Sequence, residues 1–203
     1  MLVVKNLAYS FGYRKLFFDV SCRLEAGEIV HLVGGNGAGK STFLELVAGL
    51  RSIQEGTVDF VVEAQAGSNL SYLPAEANSL FPKLDATDNL KFWLGLKGVE
   101  VSPSKLKFEM KRWGLGHQIL QKNFPVGQFS TGMKRRLALL LLCLENSICW
   151  LLDEPIYGLD AKGIELFKNA LSSHCAMGGG AIVISHDPIA FAGKAPKVLE
   201  LKS

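Results

Sequence analysis

The sequence predicts an α/β fold: a mostly parallel sheet, an antiparallel β subdomain at the N-terminus and an inserted helical subdomain. Three observations carry that prediction. Residues 28–48 read as an apolar strand, a glycine-rich loop and a helix. Residues 2–24 read as two strands joined by a tight turn. Residues 76–146 hold helical patterns with no convincing strand, after which strand and helix alternate again.

The elements follow in order. Residues 2–9 and 16–24 form a hairpin turning at Ser10–Lys15, with Phe17, Val20, Cys22 and Leu24 among its apolar positions. Tyr9, Phe11 and Tyr13 sit around that turn, where an aromatic ring can stack on a base or serve equally as core or surface. Glu28–Val33 is an apolar, β-branched run of the kind that forms a buried strand. Ser41–Ala48 follows with Phe43, Leu44, Val47 and Ala48 at helical spacing. A loop then leads to a strand at Thr57–Val62, a polar stretch at 63–69 and a short strand at Asn69–Leu73, closed by Pro74. Helices are predicted at Thr87–Lys97, Pro103–Gly114 and Ser130–Leu144, with Lys105, Lys107, Lys111 and Arg112 on a solvated face. From Ser147 the alternation resumes: a strand at Ile148–Leu152, a helix at 160–173, a strand at Gly180–Ser185 and a tail strand at Val198–Leu201.

Composition narrows the classes. With 203 residues, 48% of them hydrophobic and 20% charged, the chain can bury the core of one domain. A formal charge of +3 is too small to argue for a nucleic-acid partner, and none is expected. Cys22, Cys143, Cys149 and Cys175 are scattered with no C-x-x-C pair, which suits reduced thiols and a cytosolic protein. Met1-Leu-Val-Val-Lys-Asn lacks the build of a signal peptide. The longest apolar run, Leu137–Leu144, is far below the ~20 residues that span a bilayer. Any membrane association is therefore expected to come through a partner.

The chemistry starts at residues 34–41. Gly34-Gly-Asn-Gly-Ala-Gly39-Lys40-Ser41 satisfies the phosphate-loop pattern G-x-x-x-x-G-K-[ST] in full, between the strand and the helix the motif requires. Backbone N–H groups of such a loop converge on an anion at the positive end of the helix. Lys40 then reaches the β- and γ-phosphates, and the Ser41 hydroxyl takes a Mg²⁺.

A second station is Leu151-Leu-Asp153-Glu154-Pro155, an apolar strand that delivers two carboxylates at its end. Asp153 suits Mg²⁺ through water and Glu154 suits polarising the attacking water. His186 follows the strand 180–185, at the same kind of edge, where ligands of parallel sheets collect. His31 inside a strand, and His117 and His174 at polar helix ends, carry no such expectation. Phe129-Ser130-Thr131-Gly132 opens a helix with Ser130 as its natural N-cap.

A phosphate loop, a helical insertion, a Ser-x-Gly helix start, Leu-Leu-Asp-Glu-Pro, Gly158-Leu159-Asp160 and Ser185-His186, in this order, resemble the ATP-binding subunits of ABC transporters over essentially the whole chain. The resemblance implies a P-loop NTPase (RecA-like) core from 1–75 and 147–203, with the helical signature-motif subdomain at 76–146. It implies an ATP hydrolase that binds ATP and Mg²⁺. Gly34, Gly35, Asn36, Gly37, Ala38, Gly39, Lys40, Ser41 and Thr42 would form Walker A, with Asp153 the Walker B carboxylate, Glu154 the catalytic base and His186 the switch histidine. Phe11 matches the aromatic that stacks on adenine. Ser130, Thr131 and Gly132 match the signature motif, and Asp160 the D-loop; both act on ATP held by the other protomer of a homodimer. A multi-span membrane permease would be the further partner, holding the subunit peripherally at the cytoplasmic face of the inner membrane.

Three positions depart from the family pattern. The signature Leu-Ser-Gly-Gly-Gln reads Phe129-Ser130-Thr131-Gly132-Met133, with a β-branched side chain where the backbone meets phosphate. Counting back from Asp88 puts Glu76 where the Q-loop glutamine belongs; a carboxylate ligates Mg²⁺ but donates no amide hydrogen bond. Tyr157 replaces a serine in the D-loop. Within the family, Phe129–Leu139, Trp150–Pro155 and the Gly179–Pro188 segment look like the ATPase of cytochrome c-type biogenesis, traditionally described as a haem exporter. An ATPase of another small ABC exporter, a soluble ABC ATPase and an ATP-holding module of slow turnover remain as alternatives.

Overall fold

The computed structural model describes residues 1–61, 69–76, 79–116 and 124–201. Val62, most of the polar stretch at 63–69, and His117 lie outside the described residues.

The N-terminal strands run closer to their turn than the sequence suggests. β1 (Leu2–Phe11) and β2 (Arg14–Leu24) pair antiparallel from Leu2↔Leu24 to Phe11↔Arg14, leaving Gly12 and Tyr13 between them. β4 (Glu55–Phe60) adds to the other edge of β1, with Leu2 opposite Phe60. The result is a three-stranded antiparallel sheet in the order β2-β1-β4. The pattern marks this strand, set there at Thr57–Val62, but cannot name its partner, which lies some fifty residues away.

A second sheet holds β3 (Ile29–Val33), β5 (Leu70–Leu73), β6 (Cys149–Asp153), β7 (Gly180–Ile184) and β8 (Lys197–Glu200). Its order is β5-β6-β7-β3-β8, and every neighbouring pair is parallel. β6 and β7 are buried along their whole length, so they read as continuous apolar runs rather than alternating ones. Period two still sorts the side chains between two cores. Cys149, Leu151, Ile182 and Ile184 join the antiparallel sheet and α1 (Lys40–Val47) on one face. Trp150, Leu152, Ala181 and Val183 join the remaining helices on the other.

Between β5 and β6 the described residues form helices and no strand, as the pattern predicts: α2 (Ala86–Leu96), α3 (Pro103–Arg112) and α4 (Thr131–Leu144). α5 (Ala161–Ala176) joins β6 to β7. Among the described residues, four of the five α-helices start on a side-chain cap. Asp85 accepts from Asp88 N, Ser102 from Lys105 N, Ser130 from Met133 N and Asp160 from Gly163 N. α1 differs: its N-cap is Gly39 in the left-handed region, with no side-chain cap.

His174 corrects an expectation. It is no polar helix end: it lies buried, stacked 4.0 Å from the Trp150 ring, with Nε2 3.2 Å from the Gly180 carbonyl. One face of α5 turns inward at its last turn, and the ring becomes core. His31 is part of the fold as expected, with Nε2 3.0 Å from the Ser185 carbonyl and its ring against Phe191. The four cysteines are free thiols, and burial pushes Cys149 up to about 12.

Candidate active site

Four strands of the parallel sheet end side by side, and each delivers a chemical group at its C-terminal end. β3 runs into the glycine loop and Lys40, β6 into Asp153 and Glu154, β7 into Ser185 and His186, and β5 into Pro74, Ala75 and Glu76. The carboxyl edge of such a sheet is where a ligand finds backbone and side chains together.

The loop has the backbone its glycines predict. Gly34, Gly37 and Gly39 have φ of 154, 78 and 90°. A Cβ on Gly39 would meet Phe17 at 3.0 Å and Leu16 at 3.2 Å, so β2 seats the loop and a larger residue would have to push its side chains aside. Gly35, Asn36 and Gly37 are exposed, Ala38 and Thr42 are buried beneath them, and Ala38 N donates to the Gly35 carbonyl. Lys40 Nζ lies across the loop, donating to the carbonyls of Gly34 at 2.8 Å and Gly35 at 3.1 Å. With Gly39 as N-cap, no side chain occupies the first N–H groups of α1.

Ser41 Oγ donates to Asp153 Oδ2 at 2.6 Å, joining the loop to the end of β6. Asp153 is buried, and burial raises its pKa against the opposing pull of the Ser41 hydroxyl, Arg135 and Lys40. Glu154, the next residue, has φ of 46°, an uncommon conformation for a residue with a side chain. Its N–H donates to the Ile184 carbonyl on β7, and its Oε1 lies 3.5 Å from His186 Nε2. Lys40, Ser41, Asp153, Glu154 and His186 thus share one edge of the sheet.

The remaining expected residues lie elsewhere. Phe11 is half exposed, edge-on to Tyr9 at 5.3 Å, with the Arg51 guanidinium 5.4 Å from its ring centroid. Tyr13 is fully exposed. Glu76 is exposed at the end of the β5 segment. Ser130 and Thr131 are exposed at the start of α4, where Ser130 caps its own helix. Gly132 packs so tightly on the Gly158 carbonyl that a Cβ there would come within 2.7 Å of it. Met133, in place of the usual glutamine, packs against the helical core. Asp160 caps α5 and pairs with Arg136; together these hold its carboxyl below the ordinary range. Within this chain, among the described residues, no hydrogen bond or ion pair joins Ser130, Thr131, Gly132 or Asp160 to the loop.

The sequence motifs give no role to Arg135 or Arg136. Arg135 is almost completely buried, and its guanidinium donates to the carbonyls of Pro74 (2.7 Å), Ala75 (2.6 Å), Asp153 (3.3 Å) and Glu154 (2.8 Å). It ties the end of β5 to the end of β6 from beneath. Burial lowers its pKa, and the Asp153 and Glu154 carboxylates resist that. The helical period held the signal: Arg135 is in line with buried Leu139 and Leu142. Arg136 bonds the Trp113 carbonyl and Asp160, linking the ends of α3 and α5.

Residues 17–157 match the family described as ABC transporter. A cytochrome c biogenesis ATP-binding export protein CcmA from Vibrio vulnificus (strain YJ016) is 32% identical over 208 residues, covering 100% of this chain and 98% of its own length. The CcmA protein of Rhizobium etli (strain CFN 42) is 34% identical over 192 residues, covering 93% of this chain and 89% of its own. Among solved structures, an ATP-binding subunit of an ABC transporter superposes with a TM-score of 0.80 at 21% identity, covering 100% of this chain and 88% of its own. A dimeric, post-hydrolysis ATP-binding cassette bound to ADP and Pi superposes at 0.78 with 23% identity, covering 100% and 97%. Those two share the fold, with its parallel core, antiparallel sheet and helices.

Proposed function

The chain belongs to the ABC transporter family as an ATP-binding, ATP-hydrolysing subunit, and on that premise we propose that it drives a separate membrane permease in c-type cytochrome biogenesis, at haem export or a related step. The single observation that carries the catalytic part is the 2.6 Å bond from Ser41 to Asp153, which brings a phosphate loop and an acidic strand end together across the fold. The narrower pathway rests on the CcmA relatives, which align over nearly the full length of both chains.

In this reading residues 34–42 wrap the phosphates of ATP with backbone N–H groups, and Lys40 turns from the loop carbonyls to the β- and γ-phosphates. Phe11 stacks on the adenine. Glu154 accepts a proton from water as its oxygen attacks the γ-phosphorus, and the β–γ bridging oxygen leaves with the electron pair as ADP. His186, beside Glu154, donates to the γ-phosphate and holds the water's orientation.

A Mg²⁺ ion fits the donors present. Ser41 and Asp153 offer a hydroxyl and a carboxylate side by side, and Glu76 stands at the neighbouring strand end. The described residues hold no cluster of three or more His, Cys, Asp or Glu, so a metal here would take its remaining ligands from phosphate and water, as Mg²⁺ does. Held by Ser41 and Asp153, the ion would supply positive charge against the negative charge of the phosphates.

Ser130, Thr131, Gly132 and Asp160 act in trans. They lie apart from their own loop, while the start of α4 is a ready anion site for the γ-phosphate of a second copy. The homodimer thus completes two sites at once. No described helix is long and apolar enough to cross a membrane, so the permease supplies the membrane path and holds this subunit at the cytoplasmic face of the inner membrane. Its docking surface is the aromatic cluster of Phe81, Phe92 and Trp93 beyond the Glu76 loop, where Phe81 and Phe92 stay 39% and 44% exposed.

Glu154→Gln tests the chemistry. Turnover should fall about 10²–10⁴-fold, and ATP with Mg²⁺ should shift the variant from monomer to dimer in light scattering. Unchanged turnover would show that Glu154 is not the base. Deleting the gene should abolish covalent haem attachment to c-type cytochromes, restored by the wild type and not by Lys40→Ala; normal cytochromes in the deletion strain would refute the pathway.

A further inference from the structure

The turn of the first hairpin brings a cation to the phosphate loop. Arg14 Nη2 lies 3.4 Å from the point where a Cβ would stand on Gly37. Apart from Gly37 and its chain neighbours, no other described atom comes within 4 Å of that point. Arg14 is exposed, and among the described residues its guanidinium has no hydrogen bond or ion pair. Lys40, by contrast, is already bonded to the Gly34 and Gly35 carbonyls. An unneutralised guanidinium beside a loop of exposed backbone is suited to an anion, and above all to a phosphate.

The hairpin also fixes where along a nucleotide that cation falls. Arg14 stands directly opposite Phe11 in the last register pair of β1 and β2, so both side chains leave the sheet on one face. Neighbouring contacts hold that pair in place. Gln54 Oε1 accepts from Ser10 N at 2.8 Å, and Gln54 Nε2 donates to the Ser10 carbonyl at 3.1 Å. The Arg51 guanidinium covers one face of the Phe11 ring. A ligand with its base on Phe11 and its terminal phosphates in the loop passes Arg14 between the two. In a nucleoside triphosphate the group at that place is the α-phosphate, because it alone is joined to the ribose.

We propose that Arg14 is a further nucleotide-binding residue, whose guanidinium holds the α-phosphate of ATP. The proposal rests on the ATP site proposed at residues 34–42 and gives that site a cation from outside the loop. No bond to the α-phosphorus forms or breaks when the γ-phosphate is transferred to water. Arg14 therefore binds substrate and transition state alike, and its loss is felt in affinity rather than in the chemical step.

The test is isothermal titration calorimetry on the full chain, comparing the wild type with Arg14→Ala and Arg14→Lys. Arg14→Ala should weaken ADP and ATPγS by the same factor, about tenfold, as expected for one exposed charge-assisted bond to phosphate. Arg14→Lys should recover part of that loss. The second probe is an ADP analogue with a methyl group in place of one non-bridging α-oxygen, which removes the α charge. The wild type should bind it about tenfold more weakly than ADP, whereas Arg14→Ala should bind the two within about twofold of each other. In steady-state hydrolysis Arg14→Ala should raise KM about tenfold and leave kcat within about twofold of the wild type. Wild-type ADP affinity in Arg14→Ala would overturn the proposal, as would an analogue penalty that persists in that variant. A loss confined to ATPγS would put Arg14 on the γ-phosphate and overturn it equally. Absent ADP binding in the wild type, or undiminished binding in Lys40→Ala, would instead sink the ATP site itself.

Discussion

Replacing Arg135 by methionine keeps the length and most of the volume of the side chain and removes the guanidinium. Four carbonyl bonds go with it, to Pro74, Ala75, Asp153 and Glu154. The Ala75 side is exposed and water can replace that donor; the Asp153 side is buried and cannot be reached. An unsatisfied buried acceptor costs roughly 1–3 kcal/mol, and loss of a buried charge from its partners about 3–5 kcal/mol in all. We take about 3–5 kcal/mol as the loss, which for a chain of this size lowers Tm by about 6–20 °C. Turnover should fall further than stability, because the same bonds hold the backbone of Asp153 and Glu154 in place. Arg135→Lys should recover only part of both, since an ammonium lacks the planar fork that reaches two strand ends. Thermal melts by circular dichroism and phosphate release, run together on the three proteins, measure this. A methionine variant that melts within about 2 °C of wild type and hydrolyses ATP normally would refute the reasoning.

Other outcomes follow from the same geometry. Lys97 reaches Glu145 at 2.7 Å, and Ser71 also donates to that carboxylate, which is nearly buried; Lys97→Met should cost about 2–3 kcal/mol in urea unfolding, with partial recovery in Lys97→Met/Glu145→Leu. His174 has a pKa lowered by burial from 6.5, so the unfolded chain takes a proton that the folded chain refuses. Its contribution is intact above pH 6.5 and is lost as pH falls through that value toward the lowered one. His174→Phe should show a flatter stability profile there, and identical profiles would count against a neutral buried ring. Gly132→Ala places a methyl 2.7 Å from the Gly158 carbonyl, so it should reduce turnover at least about tenfold while leaving the ATP affinity of the single chain, which the proposed loop site would set, unchanged.

Local pattern reveals the parts of this protein whose physics is local. The glycine loop announces itself because Gly34 and Gly39 need positive φ and Lys40 and Ser41 need fixed spacing. The helices announce themselves by period, and Ser130 caps α4 as its place before the apolar run predicts. β4 pairs with β1 across a long stretch of chain, and nothing in Glu55–Phe60 names that partner. Arg135 hides for a different reason. In the run Lys134-Arg135-Arg136 charge suggests solvent, whereas helical phase puts the middle residue inside, and carbonyls from two other segments make that burial tolerable. His174 reads as a polar end because one residue type can cap, face water or stack on indole, and only Trp150 decides.

The left-handed backbone of Glu154 bears on how this subunit can lose its function. Most active-site carboxylates are kept by chemistry alone, and their replacement leaves the scaffold indifferent. Here the scaffold has a preference of its own, because φ of 46° is relaxed by glycine and strained for nearly everything else. A single substitution to glycine discards the proposed base and eases the chain in the same stroke, while Lys40 and Ser41 stay in place. On the proposed role of Glu154, such a variant would be a more relaxed chain that keeps the phosphate loop and loses hydrolysis.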